Sequence, residues 1–210
     1  MTDFRLCFSK TGPLIYISHL DLTHTFVRAM NRARLPLRYS SGFNPHPKLV
    51  FALPLSVGMA GENELCDMGL AVDLSAEEFF ERLRAELPPH LVLKSVAEPI
   101  GKLRNVRAAE YRITIAGKIG IGDKISEILS QNALPILKKT KSGEKTVDIK
   151  PQIFAFSSTE ADGNTLFHLK VDASPDGGYL NPDYVLKLLS GEGLFALCDC
   201  ATVRTAIELD

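Results

Sequence analysis

A switch of hydrophobic period, made twice in the same order, constrains this chain most. Phe4-Arg5-Leu6-Cys7-Phe8 alternates apolar and polar residues, the period-two pattern of a half-buried strand. After the Thr11-Gly12-Pro13 break, Leu22, Phe26, Ala29, Met30 and Ala33 recur at helical spacing and predict a helix over 19–34. Ser18 is placed as its N-cap, and Asp21 three residues later makes a variant of the capping box. Beyond Pro36, residues 37–40 read as a short strand. Residues 49–55 read as an apolar strand, and 64–73 as the strand that completes a hairpin. Ser75 caps a second helix whose buried face is Phe79, Phe80, Leu83 and Leu87, and Pro88-Pro89 ends it. Residues 91–96 close the set as a last strand, so the order is βαββαβ.

Residues 98–107, with Pro99, Gly101 and three basic side chains, read as a linker, and the order then begins again. Tyr111, Ile113 and Ile115 alternate with Arg112 and Thr114 as a strand. Asp123 precedes a helix carrying Ile125, Ile128 and Leu129. Residues 134–139 and 146–156 read as extended, separated by a turn holding Lys138, Lys139, Lys141 and Lys145. Asp162-Gly163-Asn164 is a hairpin turn, Asn181-Pro182 starts a helix, and 198–209 is the final strand. The expected fold is therefore α+β: tandem ferredoxin-like βαββαβ units over 1–100 and 108–210, each an antiparallel sheet with its helices on one face.

Charge follows the same division. Successive blocks 1–50, 51–100, 101–150 and 151–210 carry +5, −6, +6 and −6, which nearly cancel to the net −1. No apolar run reaches the length of a membrane span, and the N-terminus lacks the basic start and apolar core of a secretory signal. A cytoplasmic protein with no membrane association is expected. Cys7, Cys66, Cys198 and Cys200 are too few and too irregularly spaced for a disulfide framework. Cys198 and Cys200 share one face if 198–209 is a strand. Two thiolates without further ligands nearby are a poor zinc signal, so no metal and no cofactor are expected.

Chemistry-bearing residues concentrate in 17–55. His24, Arg28 and Arg32 make a basic stripe along the first helix, at i, i+4 and i+8. His19 and Asp21 stand in its first turn, where open backbone N–H groups favour an anion. Pro45 and Pro47 stiffen the backbone on both sides of His46, which lowers the entropy lost when the 42–47 loop binds a ligand. If the loop returns to the sheet end where the first helix starts, His19 and His46 meet. With Arg38, Asn44 and Lys48 they then form a basic pocket. Phe43 and Tyr39 beside Arg38 and Lys48 add the aromatic-plus-basic character of nucleic-acid surfaces.

Two motifs, Ile17-Ser18-His19-Leu20-Asp21-Leu22 and Tyr39-Ser40-Ser41-Gly42-Phe43-Asn44-Pro45-His46-Pro47-Lys48, are followed by Phe51-Ala52-Leu53-Pro54-Leu55-Ser56-Val57-Gly58. In these the chain resembles a bacterial family of radical-SAM-linked domains of unknown function. The resemblance implies a radical SAM protein as partner, and no catalytic residues come with it. The chain itself lacks the Cys-x3-Cys-x2-Cys spacing that holds a radical SAM cluster. The expected function is thus an accessory module, non-catalytic on its own, that presents RNA or another anionic substrate to that partner. Its ligand-binding residues would be His19, Asp21, Arg28, Arg32, Arg38, Asn44, His46 and Lys48. The alternatives are a stand-alone nuclease with His19 or His46 as general base, and a protein-interaction scaffold.

Overall fold

The computed structural model describes residues 2–140, 143–175 and 178–210. The chain is α+β, with mostly antiparallel sheets and four α-helices among the described residues. It divides into two compact units, Met1–Val106 with Leu209–Asp210, and Arg107–Glu208.

In the first unit β1 (Asp3–Lys10) leads through a short 3-10 turn into α1 (His19–Arg32). There follow β2 (Leu49–Phe51), β3 (Ala60–Gly69), α2 (Ala76–Arg84) and β4 (Leu91–Ala97). The strands lie side by side as β4-β1-β3-β2, every neighbouring pair antiparallel. Alternation along β1 turns Phe4, Leu6 and Phe8 to one face, opposite Met68, Cys66 and Leu93 of the adjacent strands. Leu22, Phe26, Ala29 and Met30 of α1 and Phe79 and Leu83 of α2 are buried in that same cluster, so both helices cover one face. The other face is polar, and Arg5 there grips Asp67 through two parallel bonds of 2.8 and 2.9 Å.

Arg5 also donates to the carbonyls of Ile100 and Gly101, which pins the segment expected to be a linker. That segment is shorter than the sequence suggests: Leu103 is buried in a 3-10 turn, and β5 already begins at Val106.

α1 ends two residues earlier than its periodicity predicts. Arg34 takes a left-handed φ of 55°, and Leu35 N–H returns to the Met30 carbonyl, closing the helix without glycine. Residues 37–40 form no continuous strand. Leu37 bridges to Leu70 and Tyr39 to Pro47, and the chain between leaves the sheet as an excursion before β2 starts.

The second unit runs β5 (Val106–Ile115), α3 (Gly122–Leu129), β6 (Pro135–Thr140), β7 (Gly143–Asp148), β8 (Ile153–Ala161), β9 (Asn164–Asp172), α4 (Pro182–Gly191) and β10 (Cys200–Leu209). Its sheet is ordered β10-β5-β9-β8, and β6 and β7 form a separate two-stranded sheet. Tyr111 and Ile113 face the core opposite Leu169 and Phe167, while Glu110 and Lys170 pair on the polar face at 3.4 Å. The stretch 146–156, expected as one strand, is broken by a 3-10 turn at Lys150–Gln152, because Pro151 has no N–H for a ladder. Asp148 accepts from the backbone N–H groups of Leu134 and Lys150, which closes the base of the hairpin.

Cys198 does not share a strand with Cys200. It sits exposed in a 3-10 turn, Leu197–Asp199, that forms because the Asp199 carboxylate accepts from the Ala196 N–H. Burial pushes the Cys200 thiol up to about 11, and raises Cys7 and Cys66 as well. Among the described residues, no group of three or more His, Cys, Asp or Glu is arranged to hold a metal ion.

Candidate functional site

The first turn of α1 is closed by its own residues. Ser18 Oγ accepts from the Asp21 N–H at 3.1 Å, and the Asp21 carboxylate accepts from the Ser18 hydroxyl at 2.7 Å and from its N–H at 3.4 Å. Asp21 thereby fills the place of the anion that the helix N-terminus would attract. The Ser18 hydroxyl bond, with the Ser18 backbone bond behind it, holds the Asp21 carboxyl below its ordinary range. A carboxyl depressed by folding adds stability above the unfolded pKa and loses it as pH falls through the folded one. Asp21→Asn should therefore lower the urea midpoint at pH 7, and the gap from the parent should begin to close below about pH 4 and narrow further as pH falls through the depressed folded pKa. A gap that persists unchanged at pH 3 would refute the assignment.

His19 is exposed, with its ring edge-on to Phe51 at 4.8 Å between centroids. His24 and Arg28 are exposed further along α1, and among the described residues Arg28 makes no hydrogen bond or ion pair. Arg32 is committed: its Nε donates to the Glu86 carboxylate at 3.0 Å and its Nη2 to the Glu86 carbonyl, tying the end of α1 to the chain after α2.

The excursion over 39–47 is built on a narrow base. Arg38 N–H donates to the Gly69 carbonyl at 2.8 Å, Lys48 N–H to the Arg38 carbonyl at 2.7 Å, and Gly69 N–H to the Lys48 carbonyl at 3.0 Å. Above this, Ser40 N–H donates to the His46 carbonyl, and His46 N–H to the Ser40 hydroxyl. Both basic side chains at the base grip Asp3, Arg38 on Oδ1 and Lys48 on Oδ2 at 2.7 Å. Gly69 lies beneath them, and a Cβ there would meet Lys48 Cδ at 2.7 Å and Arg38 Nη2 at 2.9 Å. The tip carries Phe43 with its ring wholly in solvent, 112% exposed, beside exposed Asn44 and His46.

The structure thus brings Arg38, Asn44, His46 and Lys48 into one loop. It does not bring His19 to them. Leu49 pairs with Met68 and Phe51 with Cys66, so β2 runs away from the loop toward the start of α1. His46 stands before the first residue of β2 and His19 packs at its last. The expected meeting of the two histidines fails because the excursion leaves where the helix ends, not where it begins.

Asp3 and Gly69 are the residues that sequence reasoning missed. Asp3 is 35 and 45 residues from its two partners, and its only local signal is its place on the polar face of β1.

The chain thus has an α+β fold of largely antiparallel strands with a proline-stiffened, polar excursion over 39–47. The chain belongs to the family described as "Uncharacterized protein conserved in bacteria (DUF2344)", which matches residues 4–182. No curated protein matches it. Among solved structures it is similar to a chain of a Cbf5-Nop10-Gar1 complex, at a TM-score of 0.50 and 11% identity. That similarity covers 97% of this chain and 48% of the other, so this chain spans about half the length of that relative and shares its fold alone. An unknown protein from Galdieria sulphuraria is also similar, at a TM-score of 0.27 and 15% identity, covering 100% of this chain and 98% of that one. No helix among the described residues is long and apolar enough to cross a membrane.

Proposed function

We propose that the protein is a non-catalytic binding module of two ferredoxin-like units, 1–100 and 108–210, that holds an anionic substrate, RNA foremost, for a radical SAM partner. The equal strand orders within the two units, β4-β1-β3-β2 and β10-β5-β9-β8, support the tandem architecture. The observation that carries the function is the 39–47 excursion. Its base is locked by Arg38, Lys48 and Asp3, its prolines limit the freedom of the tip, and the tip offers a bare aromatic ring beside a histidine and an asparagine. A base stacks on such a ring, and Asn44 and His46 supply hydrogen bonds to base edges. The separation of His19 from His46 favours binding over a general acid–base pair. The radical SAM partner follows from the motif resemblance.

Phe43→Ala should weaken binding of a fluorescent single-stranded RNA about tenfold, the loss expected of one stacked base. It should leave the melting temperature unchanged, because the ring packs on nothing. Unaltered affinity would reject the reading of the tip. A pull-down from the native host, with and without nuclease, should recover the radical SAM protein in both arms. Its absence from both would reject the partner. RNA cleavage by the metal-free protein, abolished by His46→Ala, would replace this reading with the nuclease.

A further inference from the structure

The β6–β7 hairpin sets like charges face to face. Its register sets Lys138 directly opposite Lys145, and like charges facing each other on an antiparallel pair are destabilising. Alternation puts both on the face shared with Ile136 and Val147. From that face Lys138 Nζ stands 5.0 Å from the centroid of the Tyr184 ring on α4. Lys187 Nζ stands 5.9 Å from the same ring. Among the described residues, none of these three ammonium groups is paired with a carboxylate. Lys141 and the side chain of Lys139, grouped with them in the sequence, lie outside the described residues.

Between hairpin and helix runs a groove of about 530 Å³ lined by Ile136, Leu137, Tyr184, Lys187 and Leu188, with Glu192 the sole acid in its lining among the described residues and Lys138 beside it, over the Tyr184 ring. That volume is within the range of sites for small ligands or a nucleotide. A half-buried aromatic ring flanked by unpaired cations suits a flat group attached to anions.

We propose that this groove binds single-stranded nucleic acid, a base stacking on Tyr184 while the adjoining phosphates are held by Lys138, Lys145 and Lys187. A single strand is required because a duplex hides the face of the base from the ring. The external phosphates would also offset the repulsion built into the hairpin. The site is in the other unit from the 39–47 excursion. It rests on the reading above only for the choice of RNA as polymer.

The test is fluorescence anisotropy on the full chain, with a labelled ten-nucleotide RNA, the same sequence as DNA, and the corresponding duplex. Binding of either single strand in preference to the duplex supports the site, and the RNA-to-DNA ratio assigns the polymer. The variant Lys138→Glu/Lys145→Glu/Lys187→Glu should bind at least about tenfold more weakly. Its log–log salt slope should fall by about 2, at roughly 0.7 for each phosphate no longer neutralised. Tyr184→Ala should lose about tenfold with the slope unchanged, and Tyr184→Phe should bind like the parent. Parental affinity in the triple variant, preference for the duplex, or displacement by polyglutamate more readily than by unlabelled strand would overturn the proposal. Loss in the triple variant with Phe43→Ala unaffected would sink the reading of the 39–47 tip and keep this site. The reverse pattern would sink this site alone.

Discussion

Phe26→Ala should destabilise the first unit by about 3–5 kcal/mol, the usual cost of emptying a fully buried phenylalanine site. At roughly 4–8 °C per kcal/mol for a unit of this size, its melting temperature should drop by more than 10 °C. The ring is wholly buried, 5.1 Å from Phe8 and 6.0 Å from Phe51, and Phe8 is itself 6.2 Å from Phe51. These three aromatics join α1 to β1 and β2, and aromatic pairs at such separations add to simple area burial. The cavity cannot collapse without moving Phe51, on which His19 packs. Leu20→Ala is the control on the same helix: Leu20 is 62% exposed and its loss should change little. A Phe26→Ala protein melting within about 3 °C of the parent would show that this cluster does not hold α1 to the sheet.

Arg82→Ala should cost about 2 kcal/mol, through the carbonyls it leaves behind. Arg82 donates from Nη2 to the carbonyls of Ala33 at 2.8 Å and Arg34 at 2.7 Å, and from Nε to Ala33 at 3.2 Å. Those carbonyls end α1, where a cation also meets the negative end of the helix dipole. Hydrogen bonds from a charged donor contribute about 1.5–3 kcal/mol, more than the surface ion pair Arg82 makes with Glu78. Glu78→Ala, which breaks only that pair, should cost well under about 1 kcal/mol. Urea unfolding of the two variants separates the contributions, and equal losses would show that the carbonyl bonds add nothing.

The same Arg82 shows why the end of α1 is not legible in the sequence. Periodicity continues to residue 34, and no glycine or proline stands at the true end. The left-handed turn at Arg34 that ends it has its carbonyl held by a side chain 48 residues away. Local signals do well where local chemistry decides. Ser18 and Asp21 form the capping box, Ser75 accepts from the Glu78 N–H, and Asn181 with Pro182 starts α4. The alternation in β1 names its buried face correctly. The extra hairpin is half-visible: both extended stretches show in the residue pattern, but the break that Pro151 makes in the second of them does not stand out in it, because the extended pattern resumes at Ile153. The candidate site divides in the same way. The prolines and Phe43 are legible as a stiff, exposed loop, because those properties belong to the residues themselves. The engagement of Arg38 and Lys48 by Asp3 is not, because it depends on β1 lying beside β3 and on Gly69 leaving room.

In the first unit the excursion over 39–47 interrupts the connection from α1 to the second strand, and in the second unit the β6–β7 hairpin interrupts the connection from α3 to the corresponding strand. Both additions enter at one joint, and the strands beside them keep their antiparallel pairing, with bulges between Phe8 and Lys10 of β1 and between Ile153 and Ala155 of β8. Extending a connection costs little in loop closure, since the penalty grows only with the logarithm of length. That joint is therefore a socket: peptides or reporters grafted there should leave the sheets intact, and exchanging the two inserts between units would ask whether each carries its ligand preference with it.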